Sequence, residues 1–450
     1  MKYDVIIIGS GPAGYVAAIR AGQIGLKTAI IEKGEIGGMC LNWGCMPSKA
    51  LIESAKLYKR ILKDSAKFGI DGIDKKSVHF NYNKAVKRAS GIVKRLTKGV
   101  EFLLKKNGVD IIKGEAEITS PNSVSADNRS FETDYILIAT GSRSPEIKSN
   151  EKDLVIDIKT LFTEREIPQN IVVNGNDSVA AELSQFFNMI GKNVTLVIPA
   201  DTLMPLADNF LSDYLISVFK KEKIEIIYNA DIKTTDKYKA GILTIGEQAV
   251  KCDALINAKP RLGIFPKFNL DIQTENGFIK TDENCRTNIP SVFAVGDVNG
   301  KSHFAHIGSA QGLHVINKIK GINQPLDMKR YPLNMYSVPE MAQIGLTEKE
   351  LKEENYDYKE SLFPLSANGK AMTEGNTEGF VRILSEKKYG EVLGVQIVAP
   401  HATDMIAEAS AFMQLESTIY DVAQTVHAHP TVSEVFMEAG FEGVDGAIHK

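Results

Sequence analysis

The chain has 450 residues, 43% of them hydrophobic and 24% charged, with a formal net charge of −3. Single cores stop growing near about 250–300 residues, so two or three domains are expected. The near-neutral balance excludes a dominating attraction to nucleic acid or to an anionic membrane surface. Four cysteines, two of them close together, suit a reducing compartment in which a near pair is catalytic; Cys252 and Cys285 read as structural. The first strand begins at Asp4, leaving no room for a signal or transit peptide, and no apolar run approaches the roughly 18 residues of a membrane span. A soluble, cytoplasmic protein with no membrane partner and no metal site is expected.

Residues 4–32 read as a strand (DVIII), a glycine turn, an amphipathic helix and a second strand (TAII) ending in Glu32. Gly9 permits the tight turn, Gly11 lets a pyrophosphate approach the backbone, and Gly14 lets the helix pack closely on the strand. Glu32 suits a ribose hydroxyl. With a strand before, a helix after and an acid closing the next strand, the unit is a dinucleotide site, and composition does not choose between FAD and NAD.

The next stretch, EKGEIGGMCLNWGCMPSKAL at 32–51, puts Cys40 and Cys45 either side of four residues at the start of a helix. Such a pair cannot bridge along one regular helix, because disulfide geometry needs Cα atoms within about 4.4–6.8 Å; Gly44 and Pro47 allow the necessary distorted turn. A helix N-terminus favours anions, so a cysteine here is expected to hold a depressed pKa and persist as thiolate. Lys49, in the first turn of that helix, is disfavoured by the same dipole and calls for a partner.

The segment GGMCLNWGCMPSK resembles the redox-disulfide segment of the flavin-dependent disulfide oxidoreductases, and LNWGC-x-PSK is most similar to the dihydrolipoamide dehydrogenase type. The resemblance implies FAD at the first nucleotide site, dithiol exchange at Cys40, and Cys45 against the flavin. It places Lys49 near the flavin, paired with Glu182. Gly38, Ala116 in the Gly114-Glu115-Ala116 segment, and Thr140 and Gly141 in YILIATGS would line the cofactor. The segment TDENCRTNIPSVFAVGDVNGKSHFAHIG at 281–308 resembles the second FAD motif, with Asp297 accepting from the ribitol chain. The helix after Ala305 would aim its N-terminal donors at the flavin's pyrimidine edge. His306 reads as structural.

Near the end of the chain stands His427-Ala428-His429-Pro430-Thr431-Val432-Ser433-Glu434. Histidine titrates near neutrality and a carboxylate partner fixes its tautomer, which is what thiol chemistry needs. The resemblance makes His429 the acid–base residue, with Glu434 orienting it across a dimer interface, and leaves His427 a bystander. It also implies an α/β fold of two Rossmann-like dinucleotide-binding domains plus an α+β C-terminal dimerisation domain. The expected division is residues 1–142 with 259–327 for FAD, 143–258 for the NAD-type domain and 328–450 for the interface domain, with strands near 335–345, 379–385 and 392–398.

Two stretches stand apart from that pattern. A long helix over 84–106 carries eight lysines or arginines against one acid, Glu101, with Val86, Ala89, Val93, Leu96, Val100 and Leu103 on one face. Its basic side is either a solvated face or a docking surface for an acidic carrier domain or electron-transfer protein. A second βαβ unit spans roughly 170–198, but its fingerprint keeps only the first glycine, Gly175. Asp177 stands at the glycine nearest the pyrophosphate and is able to cap the helix itself, while Ile198 stands where the ribose-binding acid belongs. Ala258-Lys259-Pro260-Arg261 likewise departs from the family's glycine-arginine segment. A lost acceptor and an added repulsive charge each cost on the order of 1–3 kcal/mol, a combined weakening of about tenfold to several thousandfold. NAD use is therefore left open.

The sequence thus predicts a homodimeric FAD enzyme that oxidises protein-bound dihydrolipoamide, with NAD+ or another acceptor, a protein electron partner among them. Two alternatives stand beside it: a reductase of a different disulfide fed by a non-nicotinamide donor, and a non-catalytic FAD-containing subunit of a lipoyl complex.

Overall fold

A computed structural model describes residues 2–323 and 325–450. The chain forms two compact units. One takes the chain through Pro168 together with Lys233–Asp236 and Ala254–Leu326; the other takes Gln169–Ile232, Lys237–Asp253 and Asp327–Lys450.

The first unit is built on the strand Lys2–Ile8, whose run of apolar residues is buried on both faces, as a central parallel strand requires. It lies parallel between Thr28–Glu32 and Arg129–Ile138, with Val5 opposite Thr28 on one side and Tyr135 on the other. Asp110–Lys113 continues the sheet parallel to Thr28–Glu32, and Val292–Ala294 adds parallel to Arg129–Ile138. Ala116–Ser120 and Ser123–Ala126 add an antiparallel flap, and Lys267–Phe268 pairs parallel with Ala116–Ser120 at the edge. The helix Pro12–Gln23 buries an alanine-rich face, Ala13, Ala17, Ala18 and Ala21, in one core with Val315 and Ile316 of the helix Ala305–Ile319. Such small side chains let helix axes approach closely.

The same unit contains Cys45–Asp64 and Tyr82–Lys106, joined where Arg88 Nη1 donates to the Ala50 carbonyl at 3.0 Å. Asn81 caps the second helix by accepting from Lys84 N at 2.9 Å. Its buried face carries Val86, Ala89, Val100 and Leu104, whereas Leu96 and Leu103 are exposed. The expected stripe therefore shifts: over this length the 3.6-residue repeat brings residue 104, not 103, under the helix. The basic residues of this helix are exposed. The chain leaves this region through Ser142–Arg143 and returns through Leu262–Gly263, and these two short strands pair antiparallel, Leu262 opposite Arg143 and Gly263 opposite Ser142.

In the second unit, Asn170–Asn174, Asn193–Val197 and Glu225–Ile227 are parallel, and Ser178–Met189 joins the first two, as the 170–198 reading expects. The C-terminal part is a five-stranded antiparallel sheet in the order Leu333–Met335, Glu340–Gly345, Val392–Ala399, Phe380–Glu386, Tyr358–Pro364. Helices Ala402–Gln414, Ile419–Gln424 and Glu434–Val444 share a core with its inner face. Tyr358–Pro364 was not expected; it is an edge strand that carries the exposed, charged Lys359 and Glu360 near its start. Among the described residues no helix is long and apolar enough to cross a membrane.

Candidate active site

The glycine loop ends in an open helix terminus. Gly11 is the N-cap of Pro12–Gln23 and supplies no side-chain cap, so the first N–H groups of the helix keep their donor capacity. A Cβ on Gly14 would fall 1.9 Å from the Gly9 carbonyl oxygen, which is why the helix starts so close to the strand, whereas a Cβ on Gly11 would meet nothing within 4 Å. Gly38 lies against Gly11: a Cβ there would sit 2.7 Å from the Gly11 Cα. Glu32 closes the loop, accepting from Ser10 N at 2.8 Å, Ser10 Oγ at 2.7 Å and Gly34 N at 2.7 Å. The Gly114 N–H donates to the Glu32 carbonyl at 3.0 Å, and Ala116, buried, opens the next strand. Free helix donors beside a glycine with room on its Cβ side are what an anionic pyrophosphate needs. FAD fits this cradle.

The cysteines lie on two helices. Cys40 is on the short helix Gly38–Asn42, and Cys45 is the first residue of Cys45–Asp64, with Gly44 between them at φ −127° and ψ −112°. Both are half-buried thiols. The Cys40 thiol is pushed up from its ordinary value, first by its hydrogen bond with Cys45, then by burial and by the neighbouring sulfur's charge; Lys49 opposes these. The expected depressed pKa is thus not found at Cys40, where the neighbouring thiol and burial outweigh the charge of Lys49. Tyr15, which the sequence reading missed, lies close enough for both sulfurs to raise its hydroxyl pKa after burial has done so. Its one signal is an aromatic residue one helical turn beyond Gly11.

On the other side of the loop, Asp297 Oδ2 accepts from Ser142 Oγ at 2.5 Å and from Arg261 Nη1 at 2.9 Å. The same guanidinium reaches Met39 Sδ at 3.4 Å and the His303 carbonyl at 3.3 Å. Arg261 therefore links the acid of the second FAD motif to the residue before Cys40. Thr140 Oγ1 donates to the Ile264 carbonyl, and Ile264 N donates to the Gly141 carbonyl at 2.9 Å. Ala305 opens the helix Ala305–Ile319, which also lacks a side-chain cap.

In the second unit, Gly175 follows the strand Asn170–Asn174, and its N–H donates to the Val197 carbonyl at 2.9 Å. Asp177 caps the helix Ser178–Met189: Oδ1 accepts from Val179 N at 3.0 Å and Ala180 N at 3.1 Å. Ile198 is fully buried. Glu182, also buried, accepts from Tyr336 N at 3.0 Å.

His429 Nδ1 pairs with Glu434 Oε1 at 2.9 Å, five residues away in the same chain. Glu434 Oε2 accepts from Thr431 N at 2.8 Å. The His429 side chain is 81% exposed and that of Glu434 20%. His427 has a carboxylate of its own, with Nε2 2.6 Å from Glu408 Oε1 and Nδ1 2.9 Å from the Thr425 carbonyl. Among the described residues no group of three or more His, Cys, Asp or Glu is placed to hold a metal.

Two sulfurs at a helix start, an open glycine cradle beside them and a second nucleotide-type fold define a flavin-dependent disulfide oxidoreductase. The chain belongs to the pyridine nucleotide-disulphide oxidoreductase family: residues 3–312 match its main region and 331–440 its dimerisation domain. It is 36% identical to a dihydrolipoyl dehydrogenase of Bacillus subtilis, covering 100% of this chain and 99% of the relative. The dihydrolipoyl dehydrogenase of Geobacillus stearothermophilus is 34% identical over 100% and 98%. Among solved structures, LpdA of Mycobacterium tuberculosis superposes with a TM-score of 0.88 at 23% identity, covering 98% of this chain and 99% of that one. The HOCl-induced flavoprotein disulfide reductase RclA of Escherichia coli gives 0.84 at 22%, over 96% and 98%. These two share the fold.

Proposed function

We propose that the protein oxidises dihydrolipoyl groups, carried on a partner protein or free, through Cys40, Cys45 and FAD. His429, oriented by Glu434, takes a proton from a substrate thiol. The thiolate attacks Cys40 Sγ of the oxidised pair, breaking its bond to Cys45 and releasing the Cys45 thiolate. The second substrate thiol then attacks the mixed disulfide; the substrate leaves as a disulfide and both cysteines are reduced. FAD, held by Gly9, Gly11, Gly14, Glu32 and Asp297, supplies a two-electron acceptor for the reduced pair. The observation that carries the reading is the placement of Cys40 on Gly38–Asn42 and of Cys45 as the first residue of Cys45–Asp64, in the unit that bears the open glycine cradle.

Acting as a homodimer in the cytoplasm fits this reading, as do a Lys49–Glu182 pair at the flavin and the division into residues 1–142 with 259–327, 143–258 and 328–450. Anaerobic mixing of the FAD-loaded protein with dihydrolipoamide tests it. Rapid bleaching of the flavin is expected, and an unbleached flavin would leave a non-catalytic subunit.

A further inference from the structure

We infer that the second nucleotide-type fold is closed to a dinucleotide pyrophosphate by the chain itself, and that Asp177 is the residue that decides it. The inference deepens the proposed function, on which it rests, by naming a cofactor that this oxidoreductase does not hold tightly.

The molecule contains its own control. Both Gly11 and Asp177 are N-caps of twelve-residue helices that follow parallel strands. At Gly11 the helix donors have no side-chain acceptor. At Asp177 the carboxylate accepts from two of them, at 3.0 and 3.1 Å. A phosphate arriving there has to displace an anion from the donors it needs and then sit beside that anion, so occupancy and charge act in the same direction.

Two further contacts reinforce the closure. Asn176, between Gly175 and Asp177, accepts from Met204 N at 2.7 Å, and Leu203 and Met204 are both buried. The segment after the second strand is therefore packed onto the glycine turn rather than left open. Ser212 Oγ holds that segment by donating to the Leu203 carbonyl at 2.5 Å. At the end of the second strand the position of the ribose-binding acid is Ile198, sealed in the core; the next carboxylate, Asp201, lies three residues on and is exposed, engaged by Thr202 Oγ1 at 3.1 Å. The residues present do not fit NAD.

The test is a calorimetric titration of FAD-loaded wild type, Asp177→Gly and Asp177→Asn with NAD+, with parallel anaerobic bleaching by NADH and by dihydrolipoamide. Wild type is expected to show no saturation below about 1 mM. Asp177→Gly, which frees the donors and removes the charge, tightens binding at least about tenfold. Asp177→Asn, which keeps a cap but not the charge, falls between. Micromolar binding by wild type, or one common affinity for all three, would overturn the assignment. If Asp177→Gly fails to fold, the comparison of wild type with Asp177→Asn decides. The dihydrolipoamide arm is independent: its failure would remove the proposed function, not the closure.

Discussion

Glu434 grips His429 with one carboxylate oxygen, at 2.9 Å, and the Thr431 N–H with the other, at 2.8 Å. The imidazole is open to solvent while its acid is largely covered, so the ring is held at Nδ1 and presents its other edge to solvent. Burial pushes the Glu434 carboxyl up, but the Thr431 N–H and His429 outweigh it and the net shift is downward. The acid therefore stays ionised across the neutral range. His429→Gln is expected to slow flavin bleaching by dihydrolipoamide by about 10²–10⁴-fold, the usual worth of a general base. Glu434→Gln should give a smaller loss. Stopped-flow rates for the two variants check the order, and a reversed order would assign the proton transfer elsewhere.

Arg261 is predicted to organise the cofactor cradle. Its bond to Asp297 is charge-assisted and only 12% of its side chain is exposed. Arg261→Met leaves Asp297 with a single hydroxyl donor on Oδ2, and removing one partner of a covered charge pair typically costs about 2–5 kcal/mol. The apoprotein of this variant should bind FAD at least about tenfold more weakly by flavin fluorescence, with Arg261→Lys between it and wild type. Equal affinity in all three would show that Asp297 does not depend on this cation.

His427 gives a pH signature. Its pKa is raised, chiefly by the hydrogen bond to Glu408, against the opposing effect of burial. A raised folded-state pKa stabilises fully below the unfolded value of about 6.5, and that stabilisation disappears as pH rises through the folded value. The melting temperature of wild type relative to Glu408→Gln is therefore expected to be highest in mildly acidic buffer and to converge with it on the alkaline side. A difference that is flat with pH would exclude the pair as its source.

Arg382 anchors the second unit. It is 1% exposed and pairs with Asp208 at 3.5 Å, Glu348 at 2.7 Å and Glu360 at 2.7 Å, over the Phe210 ring. Arg382→Met strands the buried Asp208, for which a loss of about 3–5 kcal/mol is expected. Glu348 is held down to about 2, first by Lys352 and then by Arg382. Its stabilisation is present above the ordinary carboxyl range and is lost as pH falls toward that value. Without Arg382, acid unfolding should therefore begin at higher pH, which circular dichroism across a pH series measures.

Much of this was legible in the residues. The first βαβ unit and the position of the second follow from spacing and local chemistry, the His429–Glu434 pairing follows from the family resemblance, and Asp177 caps its helix as its side chain predicts. What escaped were contacts made across long stretches of sequence. In the sequence Arg261 marks only a departure from the family's glycine-arginine segment; its bonds to Asp297 and Met39 join residues 36 and 222 positions away. Met204 gives no local sign that its N–H will meet Asn176. Tyr358–Pro364 carries Lys359 and Glu360 side by side and so lacks the apolar run that marks buried strands. The Cys40 pKa depends on a neighbouring sulfur, which spacing alone does not weigh.

The clasp between Ser142–Arg143 and Leu262–Gly263 makes everything between these strands an excursion from the cofactor-bearing sheet. Because departure and return are held by the same ladder, the excursion begins and ends at one point, and its interior can lengthen, shrink or change chemistry without pulling on the strands that flank it. An alteration such as Asp177, lodged inside that excursion, can change which nucleotide the protein meets while leaving the sulfur chemistry where it was.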